Sequence, residues 1–326
     1  MLNLFYEEPE GDRWFPWDRY PRRMVRRIVR GRPLIGGQQR VFVNLCAGLD
    51  RLGAAYRVND YRHLRRHPDE LACVVGKPHV LDKLRWGNPI LFGSAVFSHP
   101  TDDPQLFERL PVQRMLVPGD WMRQMCEPYY GNRVTAWPTG IDVDRWSPAS
   151  EVSKDIDILL YDKVRWRHDE IERTLIAPVR RVLDECKLRY AVIRYGYYRE
   201  HDFRQLLARS RAMVFLCEHE TQGFAYQQAL ACGVPILAWD RGGYWQDPKY
   251  FPDIVKFRPV SSAPYWDARC GLKFLDANDF PQRLDEFWPR VAGGDFSPRD
   301  YIVEHLTLEQ CSGQYLEIVS QVLSQL

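Results

Sequence analysis

Residues 211–244 read RAMVFLCEHETQGFAYQQALACGVPILAWDRGGY, and this stretch decides the fold class. The apolar run 212–217 is short and partly β-branched or aromatic, which is typical of a strand buried on both faces. Residues 224–232 are rich in helix formers, and the Gly-x-Pro sequence after them predicts the end of a helix. A second apolar run, 234–239, predicts the next parallel strand. The stretch therefore predicts a strand–loop–helix–strand unit of an α/β domain.

A polar loop, 218–223, joins the first of these strands to the helix. Free backbone N–H groups and the helix dipole at the amino end of a helix favour a bound phosphate. Glu220 lies in the same loop, where a carboxylate is better suited to accept hydrogen bonds from sugar hydroxyls. Alternatively, Glu220 or Thr221 simply caps the helix. The spacing alone leaves both interpretations open.

This stretch resembles the donor-site signature of retaining GT-B glycosyltransferases, in particular glycosyltransferase family four. The signature has a glutamate, seven residues, a second glutamate and then Ala-Leu/Met-Ala-x-Gly-x-Pro. Glu220 takes the first position, Gly223-Phe224 resembles the Gly-Phe segment of the family, and residues 229–235 match the tail. Gln228 stands in the place of the second glutamate.

The resemblance implies roles for these residues. In the family the first glutamate contacts the donor sugar, so Glu220 is assigned as catalytic. The second glutamate usually holds the ribose hydroxyls, which Gln228 can still bind through uncharged hydrogen bonds. The loop and the helix start supply further donor-binding residues: Thr221, Gln222, Gly223 and Phe224.

A second motif fixes the expected domain organisation. Residues 134–146, VTAWPTGIDVDRW, resemble the Pro-x-Gly-Ile/Val-Asp-x-x-x-Phe hinge of the same family. The resemblance implies an α/β GT-B fold, with two Rossmann-like domains facing across a cleft and a C-terminal helix crossing back to the N-terminal domain. The expected parts are an acceptor-side domain (1–148), a nucleotide-sugar donor domain (149–300) and the returning helix (301–326). The pattern of this last part predicts one helix over about 300–323 that is broken near Gly313.

Cations for a diphosphate are expected after the first strand of the second domain. The family places an arginine and a lysine there, and this chain has DKVRWR at 162–167. Lys163 and Arg165 are assigned to these roles, because fixed cations stabilise the charge that a leaving nucleoside diphosphate gains. The alternative is a solvated helix start.

Two features of the first half resemble parts of the family's donor site. Gly36 and Gly37 precede a predicted helix, where paired glycines let the backbone approach a ligand. His99 follows a predicted strand, where the family often has a histidine that faces the donor sugar. His99 is therefore assigned as catalytic beside Glu220, although a structural histidine is an equal alternative.

An aromatic side chain near Gly196 is expected to pack on the nucleotide base. In the family a glycine at this strand end lets the base approach. Tyr197 is assigned to this contact, with Tyr195 as its neighbour, and packing in the core is the alternative for both. Gln246 is the nearest candidate for a third glutamate that often follows the Gly-Gly turn in the family.

Composition excludes some classes of function and localisation. The formal net charge of +2 over 326 residues gives no global field for nucleic acid. The 8 cysteines show no CxxC pair or zinc-ligand spacing, so we expect reduced thiols in a cytoplasmic protein and no metal or other cofactor. The arginine-rich segment 19–32 predicts either peripheral contact with an anionic membrane, at its inner face, or a solvated helix.

The expected function is a retaining, metal-independent transfer of a sugar from a nucleotide-sugar donor to a hydroxyl of a glycan, lipid or small-molecule acceptor. No protein base is assigned, since the departing phosphate takes the acceptor proton in the front-face mechanism proposed for such enzymes. Gln228 and Gln246 keep open a non-catalytic GT-B protein that binds a nucleotide or glycan. A GT-B nucleotide-sugar epimerase is a further alternative. GxGxxG is absent, which argues against a dinucleotide dehydrogenase.

Overall fold

The computed structural model describes residues 1–8, 36–94 and 98–326. They divide into two compact units. Unit 1 comprises Met1–Pro118, Cys126–Trp137 and Ser312–Leu326, and unit 2 comprises Gly119–Met125 and Pro138–Cys311. The basic segment 19–32, with its two predicted interpretations, lies outside the described residues.

Unit 1 contains a parallel sheet whose described strands follow the order β2-β1-β3-β4-β5-β6. The strands are β1 (Leu2–Phe5), β2 (Tyr56–Val58), β3 (Ala72–Val74), β4 (Ile90–Phe92), β5 (Val112–Val117) and β6 (Val134–Ala136). Every residue of β3 and β4 is buried, which is why both appear in the sequence as short unbroken apolar runs.

Unit 2 contains a second parallel sheet, with its described strands in the order β11-β10-β9-β7-β8. The strands are β7 (Ile156–Asp162), β8 (Tyr190–Arg194), β9 (Ser210–Leu216), β10 (Ile236–Trp239) and β11 (Gly271–Phe274). Strand β7 is buried throughout, between β8 and β9. The two parallel sheets confirm the predicted α/β class.

Helices connect the strands in both units. Those of the described residues are Gly37–Arg51, Tyr61–Arg66, Leu106–Arg109, Asp120–Tyr130, His168–Ile171, Ala177–Glu185, Glu200–Arg209, Phe224–Ala231, Phe280–Gly293, Pro298–His305 and Leu308–Leu323. A π-helical turn, Glu172–Ile176, and three 3₁₀ turns, Pro78–Lys83, Pro100–Asp102 and Gly131–Arg133, complete the set. In the part of the chain that the structure describes, no helix combines the length and the apolar character needed to cross a membrane.

Both faces of the sheet in unit 2 are covered by apolar side chains. On one face the Phe224–Ala231 helix packs Tyr226 and Leu230 against the strands. On the other face, helices contribute Val179 and Phe287 to a separate core cluster. This double burial explains the continuous apolar runs from which β9 and β10 were predicted.

The strand order of unit 2 places a topological switch point between β7 and β9. The chain leaves β7 to form β8 on one side and then returns to form β9 on the other. Connections that leave in opposite directions lie on opposite faces, so the helices that follow β7 and β9 cover opposite faces of the sheet. Ligands of open α/β sheets bind at such a switch point, beyond the carboxyl ends of the strands. The loops that begin at Lys163 and Cys217 meet there.

The structure corrects one prediction for the C-terminal region. A single helix over 300–323 with a break near Gly313 is wrong, because the chain forms two helices and Gly313 lies inside the second. The break falls at Leu306 and Thr307, where the backbone N–H of Ile141 donates to the Leu306 carbonyl at 2.7 Å. Thr307 forms a parallel bridge with Ile141, and this pairing takes the backbone out of the helix.

Candidate active site

Lys163 and Glu220 form an ion pair at the switch point of unit 2. Lys163 directly follows β7, and its backbone N–H donates to the Leu216 carbonyl at 2.8 Å, which continues the sheet pairing. The Glu220 backbone is fixed on both sides: its N–H donates to the Ser261 carbonyl at 2.9 Å, and its carbonyl accepts from Trp121 Nε1 at 2.7 Å. The structure thus brings together two residues that the sequence assigned to one site.

The surroundings of this pair keep the lysine charged. Burial opposes the charged form, but the Glu220 carboxylate and the nearby Cys217 sulfur outweigh it, so the pKa of Lys163 is raised. The Lys163 ammonium also lies 4.6 Å from the ring centroid of Tyr195, a cation–π distance. The side chains of Lys163 and Glu220 are only 12% and 9% exposed. The two groups expected to contact different parts of a ligand are therefore partners of each other in this structure.

Glu218 joins the loop after β7 to the loop after β9. Its Oε1 accepts from the backbone N–H groups of Arg165 and Trp166, both at 2.9 Å. Arg165 turns its guanidinium to His219, donating from Nη2 to the ring Nε2 at 3.0 Å and to the carbonyl at 3.1 Å. Sequence reasoning placed Arg165 here but missed the role of Glu218, although a carboxylate two residues beyond a buried strand was visible.

His219 is a buried, neutral imidazole that accepts hydrogen bonds within this site. Its Nε2 faces two donors, Arg165 Nη2 and Trp245 Nε1, so the ring proton lies on Nδ1. Among the described residues, Nδ1 has no hydrogen-bond partner although it is buried. Trp121 and Trp166 pack around the ring, with centroids 5.6 and 5.1 Å away. Burial, and then the positive side chains nearby, hold the pKa of His219 well below its ordinary value.

Arg241, which follows β10, adds a cation that sequence reasoning missed. Its Nη2 donates to Gln246 Oε1 at 3.0 Å, and Arg167 Nη2 donates to the same oxygen at 3.2 Å. Its Nε has no acceptor, and no carboxylate of the described residues forms an ion pair with it. Burial lowers the pKa of Arg241, although the Glu218 charge raises it and the Arg167 charge lowers it further. A half-buried guanidinium with only a neutral partner is suited to bind an anion.

The loop before the Phe224–Ala231 helix is fixed by its own side chains. Gly223 caps this helix with a φ of +83°, and a Cβ at this position would lie 2.0 Å from the Tyr226 ring. Gln222 is buried, with Oε1 accepting from the Thr139 N–H at 2.9 Å and Nε2 donating to the Thr139 carbonyl at 3.1 Å. The Gln222 amide is therefore bound within the protein, and its donor-binding role stays a prediction.

The other residues that were assigned to binding the nucleotide-sugar donor differ in how far they are buried. Thr221 is partly exposed in the loop, and Phe224 packs against the core from the first helical turn. Gln228 is buried on the same helix, and its side chain makes no hydrogen bond among the described residues. Tyr197 is 79% exposed with the Arg194 guanidinium 5.3 Å from its ring, whereas Tyr195 contacts Lys163.

The remaining predicted residues belong to unit 1. Gly36 caps the Gly37–Arg51 helix, and beyond the adjoining chain no atom of the described residues lies within 4 Å of a Cβ built on Gly36 or Gly37. His99 is buried, and its Nδ1 accepts from the Thr101 N–H at 3.2 Å, which caps a 3₁₀ turn. Burial lowers the pKa of His99. Since this local contact fits the structural alternative, the catalytic role of His99 stays a prediction.

Comparison with solved structures identifies the fold. WaaG, a glycosyltransferase involved in lipopolysaccharide biosynthesis, is similar over 98% of this chain and 99% of its own, with a TM-score of 0.54 and 12% identity. Sucrose-phosphate synthase from Thermosynechococcus elongatus is similar over 89% and 94%, with a TM-score of 0.54 and 13% identity. The fold is GT-B. This confirms the predicted fold class.

Other comparisons limit what this likeness implies. TarM is similar over 78% of this chain with a TM-score of 0.54 and 11% identity, but the chain spans only 56% of TarM. No protein-family model and no curated protein matches the chain. At identities of 11–13%, the similarity establishes the GT-B fold and does not by itself assign a reaction.

Proposed function

We propose that this GT-B protein is a retaining glycosyltransferase. It transfers a sugar from a nucleotide-sugar donor to a hydroxyl of a glycan, lipid or small-molecule acceptor, without a metal ion. The observation that carries this proposal is the convergence of Lys163, Arg165 and Glu220 at the carboxyl ends of β7 and β9. These strands flank the switch point, where ligands of such sheets bind.

The charges at this edge suit a diphosphate leaving group. Lys163 and Arg165 supply fixed cations, and the Phe224–Ala231 helix presents its amino end beside them. As the glycosidic bond breaks, negative charge develops on the departing diphosphate, and preorganised cations lower the energy of that state. A phosphate that binds Lys163 also weakens the ion pair between Lys163 and Glu220.

Glu220 is then available to bind the donor sugar. A carboxylate released from part of its ion pair accepts hydrogen bonds from donor hydroxyls and positions the ring over the leaving group. The resemblance of 211–244 to the retaining signature supports a front-face transfer, in which the acceptor attacks the sugar from the same side that the nucleoside diphosphate leaves. In that mechanism the acceptor hydroxyl gives its proton to the departing phosphate oxygen, which needs no protein base.

The first experiment is a thermal-shift screen with UDP-, GDP-, ADP- and dTDP-sugars, because a ligand of the folded state raises its apparent stability. The nucleotide-sugar with the largest shift is then incubated with the enzyme, and release of free nucleoside diphosphate is followed with and without EDTA. Release that persists in EDTA and is lost in Glu220→Gln supports the proposal. Glu185→Gln, at an exposed helical position, is the matched control.

A non-catalytic binding protein is the second candidate. The closed Lys163–Glu220 pair and the uncharged Gln228 favour it, because both reduce the negative charge available to a sugar and a ribose. Binding of a nucleotide-sugar without turnover, in wild type and Glu220→Gln alike, identifies this case. A sugar isomer formed without nucleotide release identifies an epimerase.

A further inference from the structure

Two histidines and a glutamate lie close together near the amino end of β3 in unit 1. His63 lies on the Tyr61–Arg66 helix, His67 follows its end, and Glu70 stands just before β3. One ligand atom from each residue lies within 4.8 Å of those of the other two. This cluster belongs to unit 1, whereas the candidate active site belongs to unit 2.

The hydrogen bonds of the cluster leave free electron pairs on two of its three residues, His67 and Glu70. His67 Nδ1 lies 2.9 Å from the His63 carbonyl, which can only accept, so Nδ1 carries the proton and Nε2 keeps its lone pair. Glu70 Oε2 lies 3.0 Å from His63 Nε2. Among the described residues, His67 Nε2 and Glu70 Oε1 take part in no hydrogen bond. His67 and Glu70 therefore offer free electron pairs. His63 Nε2 donates to the Glu70 carboxylate, and a metal ion that binds this nitrogen displaces its proton, as metal binding to protein ligands commonly does.

Two buried asparagines hold the chain that carries these ligands. Asn3 donates to Glu70 Oε2 at 2.8 Å. Asn88 donates to the carbonyls of His67 at 2.7 Å and Glu70 at 3.0 Å. Partners of this kind orient metal ligands and fix their protonation in known metal sites.

We propose that His63, His67 and Glu70 bind a divalent transition-metal ion, and that Zn²⁺ fits the ligand set best. Imidazole nitrogens favour zinc and its neighbours over magnesium or calcium. Two histidines and one glutamate are a known zinc ligand set, in which water fills the fourth position. The ion would tie the end of the Tyr61–Arg66 helix to the entry of β3. It would thus stabilise unit 1 independently of the proposed glycosyl transfer.

Equilibrium dialysis against zinc chloride tests this proposal. The protein is first made metal-free with EDTA, and the EDTA is then removed. We expect one Zn²⁺ per chain in the wild type. In His67→Ala the affinity falls by more than the roughly 10–100-fold that loss of an outer partner costs. His201→Ala, at an exposed position of the Glu200–Arg209 helix, retains the wild-type affinity. Absence of bound zinc in the wild type, or equal affinity in His67→Ala, overturns the proposal.

Two further measurements keep the test independent of folding and activity. Zn²⁺ raises the thermal midpoint of the wild type and leaves that of His67→Ala unchanged, because an ion that binds only the folded state stabilises it. If His67→Ala does not fold, Glu70→Gln replaces it, since glutamine keeps an oxygen for Asn3. Zinc affinity that does not fall between pH 7.5 and 5.5 also contradicts histidine ligation, because protons compete for the ligands.

Discussion

Arg167 and Arg241 donate hydrogen bonds to one oxygen atom, Oε1 of Gln246, at 3.2 and 3.0 Å. Arg167 also has the Glu170 carboxylate at 3.4 Å, whereas Arg241 forms no ion pair with any described residue. A neutral amide does not neutralise two guanidinium groups. We therefore expect an anionic group of the donor to contact Arg241, in addition to the cation at Lys163.

Replacement of Arg241 tests this expectation. Arg241→Gln should weaken binding of the preferred nucleoside diphosphate by about 10–100-fold, because a hydrogen bond to a charged group contributes about 1.5–3 kcal/mol. Titration calorimetry measures the two dissociation constants. Arg181→Gln removes an exposed arginine of the same unit and is the control. Equal dissociation constants for Arg241→Gln and the control would place the anion elsewhere.

The Lys163–Glu220 pair predicts a coupling energy between its members. Lys163→Met or Glu220→Gln alone should lower the free energy of unfolding by roughly 3–5 kcal/mol, because each leaves a buried group without its partner. The double variant should be more stable than the sum of the two losses implies. Urea unfolding of all four proteins gives the coupling. Strictly additive losses would show that the pair does not form in solution.

The sequence predicted much of this site because parallel strands bring their carboxyl ends to one edge. The family resemblance assigned Lys163 and Glu220 to one site, and each lies just beyond a strand that was expected in the same domain. It did not predict that the two side chains pair with each other. That contact depends on the register between β7 and β9, which no local pattern specifies.

Other features depended on tertiary contacts that the pattern does not contain. Sequence reasoning assigned no role to Arg241, because its contact with Gln246 joins the end of β10 to a residue five positions further along a loop. The wrong helix break near Gly313 had a usable signal. Thr307 and Gln310 exchange capping-box hydrogen bonds, a Thr-x-x-Gln pattern that marks a helix start in sequence.

Gly223 should tolerate no side chain. Gly223→Ala combines a left-handed backbone with a Cβ 2.0 Å from the ring of Tyr226, a fully buried residue that has no room to move. Gly242 also has a positive φ, of +62°, but beyond the adjoining chain no atom of the described residues lies within 4 Å of a Cβ built there, so Gly242→Ala measures the backbone strain alone. Strain of this kind costs about 1–3 kcal/mol. Urea unfolding should show a larger loss for Gly223→Ala, and equal losses would refute the close packing of this loop.

His219 should make the protein less stable in acid. The folded protein keeps this buried imidazole neutral, whereas the unfolded chain protonates it below its ordinary pKa of 6.5. Acid therefore favours the unfolded state, and the stabilisation that is present above pH 6.5 is lost as the pH falls below that value. His219→Gln removes this proton uptake. Between pH 6 and 5 the free energy of unfolding should therefore fall less steeply in His219→Gln than in the wild type, and the two slopes should differ by about 1.4 kcal/mol per pH unit. His99 also has a lowered pKa and remains in both proteins, so the difference between the two profiles isolates His219. Parallel profiles from urea unfolding would mean that the ring is accessible to protons in the folded protein.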